Sequence, residues 1–219
     1  MEENRIIAGK NAKIEGHKNE RKICQWLNEN YDGTFIVDGG CSTKKDIINL
    51  SNNESYSLKT TSKTHTQCHL TSSNRWCENF NIDGRLKNWF YSFFGIPGID
   101  VSDGKNRRHR LTKTDIPSDL NDLAANWFNE NKEQIFDVIL SGDGVNYLIW
   151  HHKSSKQTQI YSIDELRSLV YNGNWILNET TLHFLTEDQR KLFHLQMKGS
   201  GKNYTSNYHG LMFHIHKCF

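Results

Sequence analysis

The segment DIINLSNNESYSLKT, residues 46–60, contains two short runs rich in β-branched, aliphatic and aromatic residues, separated by Asn52-Asn53. Such runs, divided by a turn signal, predict two neighbouring strands. Asp46 begins the first run and Lys59 lies near the end of the second, so we expect the two side chains on adjacent strands. A carboxylate that holds a divalent cation and a lysine that acts on the attacking water are what metal-dependent phosphodiester hydrolysis needs. The alternative is a solvated strand lysine, because so short a pattern also occurs by chance.

The length and composition predict one soluble globular domain over residues 1–219. A chain of 219 residues with 36% hydrophobic and 24% charged residues can bury one sizeable core. No apolar run is long enough to cross a bilayer, so we expect no membrane association. The net charge is only +2, and any affinity for nucleic acid must therefore come from clustered charge.

The cysteine pattern and the N-terminal segment predict a reducing compartment, and hence a cytoplasmic location. The five cysteines are an odd number without framework spacing: Cys24, Cys41, Cys68, Cys77 and Cys218. The segment from Met1 to Lys13 is polar and charged, unlike a secretory signal peptide.

Further predicted elements surround the opening segment. An amphipathic helix is expected over 12–31, with Glu20 near its middle, and broken or regular helical patterns are expected over 74–94 and 118–139. A capping box at Ser162–Glu165 opens a helix that runs to Tyr171. The predicted strands lie at 34–37, 46–50, 55–60, 145–150, 157–161, 181–185, 192–198 and 211–216.

Two basic stretches suit contacts with DNA phosphates, which position a protein without reading sequence. Five of the nine residues from Lys105 to Lys113 are basic, Arg107, Arg108 and Arg110 among them, and a second stretch runs from Arg190 to Lys202. The alternative for each is a solvated loop.

The order of these features resembles the type II restriction endonucleases of the PD-(D/E)xK superfamily, in particular the MspI-like branch, whose members cut short GC-rich palindromes such as GCGC. The resemblance covers nearly the whole chain. Its motifs, in order, are 9–13 (GKNAK), 16–20 (GHKNE), 45–47 (KDI), 57–59 (SLK), 107–108 (RR), 126–127 (NW), 136–140 (FDVIL) and 195–199 (LQMKG).

The resemblance implies a mixed α/β, restriction-endonuclease-like fold with a central mixed β-sheet flanked by helices. It implies one endonuclease domain over 1–219, with a catalytic core at about 10–100 and DNA-recognition elements at about 105–113 and 194–210. Asp46 resembles the metal-binding carboxylate and Lys59 the lysine that orients or deprotonates water, while Glu20 could supply a second carboxylate. Hard oxygen ligands of this kind select Mg²⁺.

Ser57 departs from the superfamily pattern, which usually places Glu or Asp two residues before the lysine. Relatives in this branch carry Gln or Asn there, so a neutral oxygen ligand at the Mg²⁺ site is tolerated. Serine is shorter, and both a direct and a water-mediated contact with the metal stay open. Glu54 is not expected to substitute, because side chains alternate along a strand.

The segment 196–203 (QMKGSGKN) resembles the loop with which these enzymes read bases in the major groove. Lysine can pair with guanine, Gln and Asn can pair with adenine, and glycine lets the backbone approach the groove. The candidate reading residues are Gln196, Lys198, Gly199, Lys202 and Asn203. The alternative is a glycine-rich hairpin turn.

A competing metal site is the group His65, Cys68, His69 and Cys77, whose His-x-x-Cys-His spacing could bind zinc. His214 and His216 alternate with Leu211, Phe213 and Ile215, a pattern interpreted as the edge of a core strand.

The sequence therefore predicts a Mg²⁺-dependent endonuclease that cuts double-stranded DNA, with a companion methyltransferase protecting the host site. A palindromic target favours a homodimer, although the branch also includes enzymes that act as monomers. Two alternatives stay open: a DNA-binding protein without activity on the same fold, and a structure-specific DNA-repair nuclease.

Overall fold

The computed structural model describes residues 2–38, 44–92, 116–178, 182–199 and 209–217. The chain divides into two compact units, one formed by Met1–Lys63 and Leu140–Leu166 and the other by Thr64–Ile139 and Arg167–Phe219. Each unit is built around a five-stranded sheet, which confirms the predicted α/β class. A single endonuclease domain over 1–219 stays a prediction.

Runs of strands and runs of helices follow one another along the chain. In chain order the strands are β1 (Phe35–Val37), β2 (Ile47–Asn49), β3 (Glu54–Thr61), β4 (His65–Ser72), β5 (Tyr147–His152), β6 (Gln157–Ser162), β7 (Asn174–Leu177), β8 (Leu182–Leu185), β9 (Lys191–Gly199) and β10 (His209–His216). The helices are α1 (Glu2–Asn30), α2 (Ser73–Asn79), α3 (Gly84–Ser92), α4 (Ser118–Glu130), α5 (Lys132–Phe136) and α6 (Ile163–Asn172).

The first sheet has the order β1-β2-β3-β5-β6 and is mixed, because β3 and β5 run parallel while the other neighbours run antiparallel. Helix α1 packs on it through a buried apolar cluster that includes Ile23, Leu27 and Ile47. The Asn28 side chain holds the end of α1 to β1: its amide donates to the Phe35 carbonyl and its oxygen accepts from the Phe35 N–H, both at 2.9 Å. These contacts fix α1, and with it Glu20, against the sheet.

The second sheet has the order β4-β10-β9-β8-β7 and is antiparallel throughout. One face is an aromatic core in which Trp175, Phe184, Phe193 and Phe213 are buried. The rings of Trp175 and Phe184 lie 5.4 Å apart, centroid to centroid. Alternation along each strand places polar side chains on the opposite face.

The element predictions are largely confirmed, with four differences. Helix α1 begins at Glu2, ten residues before the predicted start at residue 12. The helical region over 74–94 is two helices, because Asn81 and Gly84 both adopt a φ of 52° between them. Helix α4 is followed by α5 and a short π-helical turn, Asp137–Ser141. Strands β4 and β7 had not been predicted.

The capping box at Ser162–Glu165 is confirmed by reciprocal bonds, in which the Ser162 N–H donates to Glu165 Oε2 at 2.9 Å and the Glu165 N–H donates to Ser162 Oγ at 3.0 Å. Among the described helices, none is both long and apolar enough to span a membrane.

Candidate active site

Strand pairing brings Asp46 and Lys59 together, as predicted. The Asp46 N–H donates to the Tyr56 carbonyl at 2.8 Å, which fixes Asp46 at the start of β2, beside β3. Its carboxylate oxygen Oδ2 accepts a 2.6 Å bond from the Leu58 N–H and a 3.3 Å bond from the Ser57 hydroxyl. Lys59 Nζ donates to Ser57 Oγ at 3.0 Å. Ser57 therefore links the carboxylate to the lysine.

Glu20 lies within electrostatic reach of Asp46. Burial is the largest cause that raises the pKa of Asp46, and the Glu20 charge adds a smaller upward contribution. Only 18% of the Glu20 side chain is exposed, and its Oε2 lies 2.9 Å from His17 Nδ1, one turn earlier on α1. Sequence reasoning missed His17, although its spacing of three residues from Glu20 on a helix is a signal for such a pair.

Burial is the main influence on Asp46. It raises the pKa of the Asp46 carboxyl, and Glu20 adds to that shift, while the Lys59 charge and the bonds from Leu58 and Ser57 act in the opposite direction. The net shift is upward. Carboxyl groups whose pKa is shifted by burial and by specific charged neighbours cluster at functional sites.

The donor set fits a hard divalent cation. Asp46 and Glu20 offer carboxylate oxygens and Ser57 offers a hydroxyl, which are the ligand types that Mg²⁺ prefers. A bound cation would offset the burial, and the smaller effect of the Glu20 charge, that raise the pKa of Asp46. Ser57 Oγ already donates to Asp46 and accepts from Lys59, so one lone pair of that oxygen is left for a ligand.

Glu54 takes no part in this group. Its carboxylate accepts bonds from the hydroxyls of Tyr56 at 3.2 Å and of Tyr147 at 3.0 Å. The two tyrosine rings stack with centroids 4.9 Å apart. This placement agrees with the expected alternation along β3, which turns Glu54 away from Ser57.

Some of the predicted DNA-contacting residues lie in the part of the chain that the structure describes. Gln196 lies on β9, where its Oε1 is 3.2 Å from His214 Nε2. Lys198 and Gly199 are at the end of the same strand, and their backbones pair with Gly210 and His209 of β10. Five of the predicted residues lie outside the described residues: Arg107, Arg108, Arg110, Lys202 and Asn203.

The structure does not assemble the zinc group suggested by His65, Cys68, His69 and Cys77. A β-bulge in the pairing of β4 with β10 leaves Cys68 without a register partner, so that His65 and His69 face opposite sides of the sheet. His69 lies beside the Trp76 and Phe213 rings. The Cys68 thiol donates to the Phe213 carbonyl, and burial raises the pKa of the Cys77 thiol to about 11.

The sequence matches no family model and no curated protein. Two solved structures are similar to it. Restriction endonuclease MspI in complex with its cognate DNA is 13% identical, over 90% of this chain and 77% of that chain, with a TM-score of 0.46. HhaI endonuclease in complex with DNA is 14% identical, over 91% of this chain and 90% of that chain, with a TM-score of 0.37. The contacts of Asp46 and Lys59 are therefore the basis on which a function can be proposed.

Proposed function

We propose that the chain is a metal-dependent nuclease with a restriction-endonuclease-like fold. The observation that supports this proposal is the hydrogen-bonded series Asp46–Ser57–Lys59, with Glu20 within electrostatic reach of Asp46. The two carboxylates could bind a cation next to the lysine that Ser57 holds. Phosphodiester hydrolysis needs both, because negative charge accumulates on the phosphate as water attacks.

Within that class we propose a type II site-specific deoxyribonuclease that cleaves double-stranded DNA at a short palindrome. The order of motifs over the whole chain, from Glu20 to Lys198, supports this finer assignment. It would act in the cytoplasm, with a companion methyltransferase protecting host DNA. A homodimer would match the two-fold symmetry of a palindrome.

Asp46 and Glu20 would hold Mg²⁺, with Ser57 contacting it directly or through water. When bound, Mg²⁺ supplies a Lewis acid for the phosphoryl oxygen and lowers the pKa of nearby water. Lys59 orients the attacking water and balances the charge that grows on the phosphate, and Ser57 holds Lys59 in place. Attack of the water oxygen on phosphorus breaks the bond to the 3′-oxygen, which leaves with a proton, giving a 5′-phosphate and a 3′-hydroxyl.

DNA contacts would come from two parts of the chain. Arg107, Arg108 and Arg110 would bind phosphates, and the segment from Gln196 to Asn203 would read bases. A Lys198→Ala variant is expected to lose discrimination between cognate and random duplex, by about 1–3 kcal/mol for one lost base contact.

The proposal is tested by replacing Lys59. Lys59→Ala should reduce Mg²⁺-dependent plasmid cleavage by at least about 100-fold while specific binding persists, because the lysine acts in the transition state. Lys22→Ala, an exposed lysine on α1, is the matched control and should cut like the parent. Undiminished cleavage by Lys59→Ala would overturn the mechanism.

A DNA-binding protein without nuclease activity is the second candidate, and Ser57 is the observation that favours it. An uncharged residue at this position weakens the metal site relative to one with an additional acid. Discrete plasmid fragments in the presence of Mg²⁺ require an enzyme, whereas specific binding with intact plasmid supports the second candidate.

A further inference from the structure

Four histidines gather on the polar face of the second sheet, the face opposite its aromatic core. His194 of β9 pairs directly with His214 of β10, and His216 of β10 pairs with His65 of β4. The rings of His194 and His214 stack with centroids 4.4 Å apart, and the His65 ring lies 5.2–5.3 Å from the rings of the other three. Three neighbouring strands thus contribute to one imidazole cluster.

We propose that His65, His194 and His214 bind a Zn²⁺-class transition-metal ion. One ring nitrogen from each of the three lies within 4.8 Å of the other two. A metal ion placed centrally among the three nitrogens would therefore lie at most about 2.8 Å from each of them. If each histidine ring moved inward by less than about 1 Å, the nitrogens would reach the usual Zn–N distance of about 2.0–2.1 Å. Imidazole nitrogen is a ligand that suits Zn²⁺, Cu²⁺ and Ni²⁺, and it suits Mg²⁺ poorly.

Two of the three rings, those of His194 and His214, have a polar partner close to one ring nitrogen. His194 Nδ1 lies 2.7 Å from His216 Nε2, and His214 Nε2 lies 3.2 Å from Gln196 Oε1. Hydrogen bonds of this kind fix the tautomer and the orientation of a ligating ring.

None of the three ligands is exposed, and no two of them lie on the same strand. His65 is 129 residues before His194 in the chain, so a metal here would cross-link distant segments of the second unit. The site uses nitrogen donors only, and it is separate in chemistry from the oxygen donors Asp46 and Glu20. Its role is structural: it ties β4, β10 and β9 together next to Gln196.

The test uses the full chain, stripped with a chelator and then titrated with Zn²⁺ alone against a chromophoric zinc indicator. We expect one tightly bound equivalent and a rise in melting temperature. His65→Gln and His194→Gln should abolish this stoichiometric binding, whereas His216→Gln should weaken it by about 10–100-fold, as expected for a residue that orients a ligand. His152→Gln and Asp46→Asn should retain it.

A second measurement does not depend on any variant folding. Co²⁺ bound to the wild-type chain should give the visible absorption of a four-coordinate site, and X-ray absorption of the Zn²⁺ form should show a nitrogen-rich shell with imidazole scattering. Absence of tight Zn²⁺ binding by the wild-type chain would overturn the proposal and leave a purely packed histidine cluster. Equal loss of binding in His152→Gln, or loss confined to Asp46→Asn, would also overturn it.

Discussion

Ser57 is a neutral residue between the charged side chains of Asp46 and Lys59, and its contacts indicate what it contributes there. The side chain is 1% exposed and bonds both Asp46 and Lys59. It adds no charge to a buried site that already contains two mutually repelling carboxylates. We infer that Ser57 acts chiefly by positioning Lys59.

Replacing Ser57 tests this role. Ser57→Ala removes the acceptor of the Lys59 bond, and cleavage should fall by about 10–100-fold, the usual cost of losing a residue that supports a catalytic group. Ser62→Ala, an exposed serine just past β3, should leave kcat unchanged. Equal kcat values for the parent and Ser57→Ala would remove Ser57 from the mechanism.

Replacing Asp46 should separate stability from activity. Because burial raises the pKa of the Asp46 carboxyl, ionising this group costs more free energy in the folded chain than in the unfolded chain, which lowers stability at neutral pH. Asp46→Asn keeps the shape without the charge, so it should raise the melting temperature while abolishing metal-dependent cleavage. Asp32→Asn, at an exposed position, should change neither. A lower melting temperature for Asp46→Asn would contradict the pKa shift.

At the residue scale, the sequence predicted the neighbours but not their bonds. The adjacency of Asp46 and Lys59 follows from two strands joined by a tight turn, which is a local pattern. The bond from Lys59 to Ser57 and the pairing of His17 with Glu20 depend on side-chain rotamers, which no spacing rule fixes.

At the element scale, β4 shows why a strand can escape prediction. Its sequence HTQCHLTS, residues 65–72, alternates poorly because the bulge at Cys68 reverses the faces of the residues on either side. The same polarity that suggested a zinc-binding segment reflects a strand with histidine and glutamine on one face. Strand β7 has only four residues, which are too few to show a clear alternation of apolar and polar side chains.

The connection from α6 to β7 is a packing constraint in the second unit. A Cβ on Gly173 would lie 2.5 Å from both the Leu185 carbonyl oxygen and the Phe184 ring. Gly173→Ala should therefore lower the free energy of unfolding by about 1–3 kcal/mol through overpacking. Urea unfolding followed by tryptophan fluorescence measures this, with the exposed neighbour Asn172→Ala as the control. Equal midpoints for the two variants would refute the close contact.

The polar face of the second sheet should be sensitive to acid. Burial first, and then neighbouring imidazoles and Lys191, lower the pKa of His216 to about 4, and burial with four neighbouring imidazoles lowers the pKa of His194 to about 3. The unfolded chain takes up these protons near pH 6.5, before the folded chain does. Stability should therefore decline as pH falls from about 6.5 towards 4 and 3.

Melting temperatures of the chelator-treated chain between pH 7 and pH 4 check this prediction. His194→Gln removes one group that titrates differently in the two states, so its melting temperature should depend less steeply on pH. His152→Gln should keep the slope of the parent. If the melting temperatures of the parent and of His194→Gln changed equally with pH, the predicted lowering of the pKa of His194 would be contradicted.

At the scale of the whole molecule, the sequence did not predict which distant strands pair with each other. Lys59 of β3 is the register partner of Trp150 on β5, and the two strands run parallel. Parallel neighbours need a long crossover, and here 90 residues lie between the two positions. The unit that contains Asp46 and Lys59 is therefore built from two separate stretches of chain, and a catalytic core at about 10–100 stays a prediction.

Sequencing the DNA ends left by the chain after incubation with plasmid and Mg²⁺ tests the central claim most directly. The account predicts discrete fragments with 5′-phosphate ends at one short palindrome, no fragments in the presence of a chelator, and none from Lys59→Ala. Intact plasmid after incubation with folded, DNA-binding protein would contradict it, and so would cleavage that persists in Lys59→Ala.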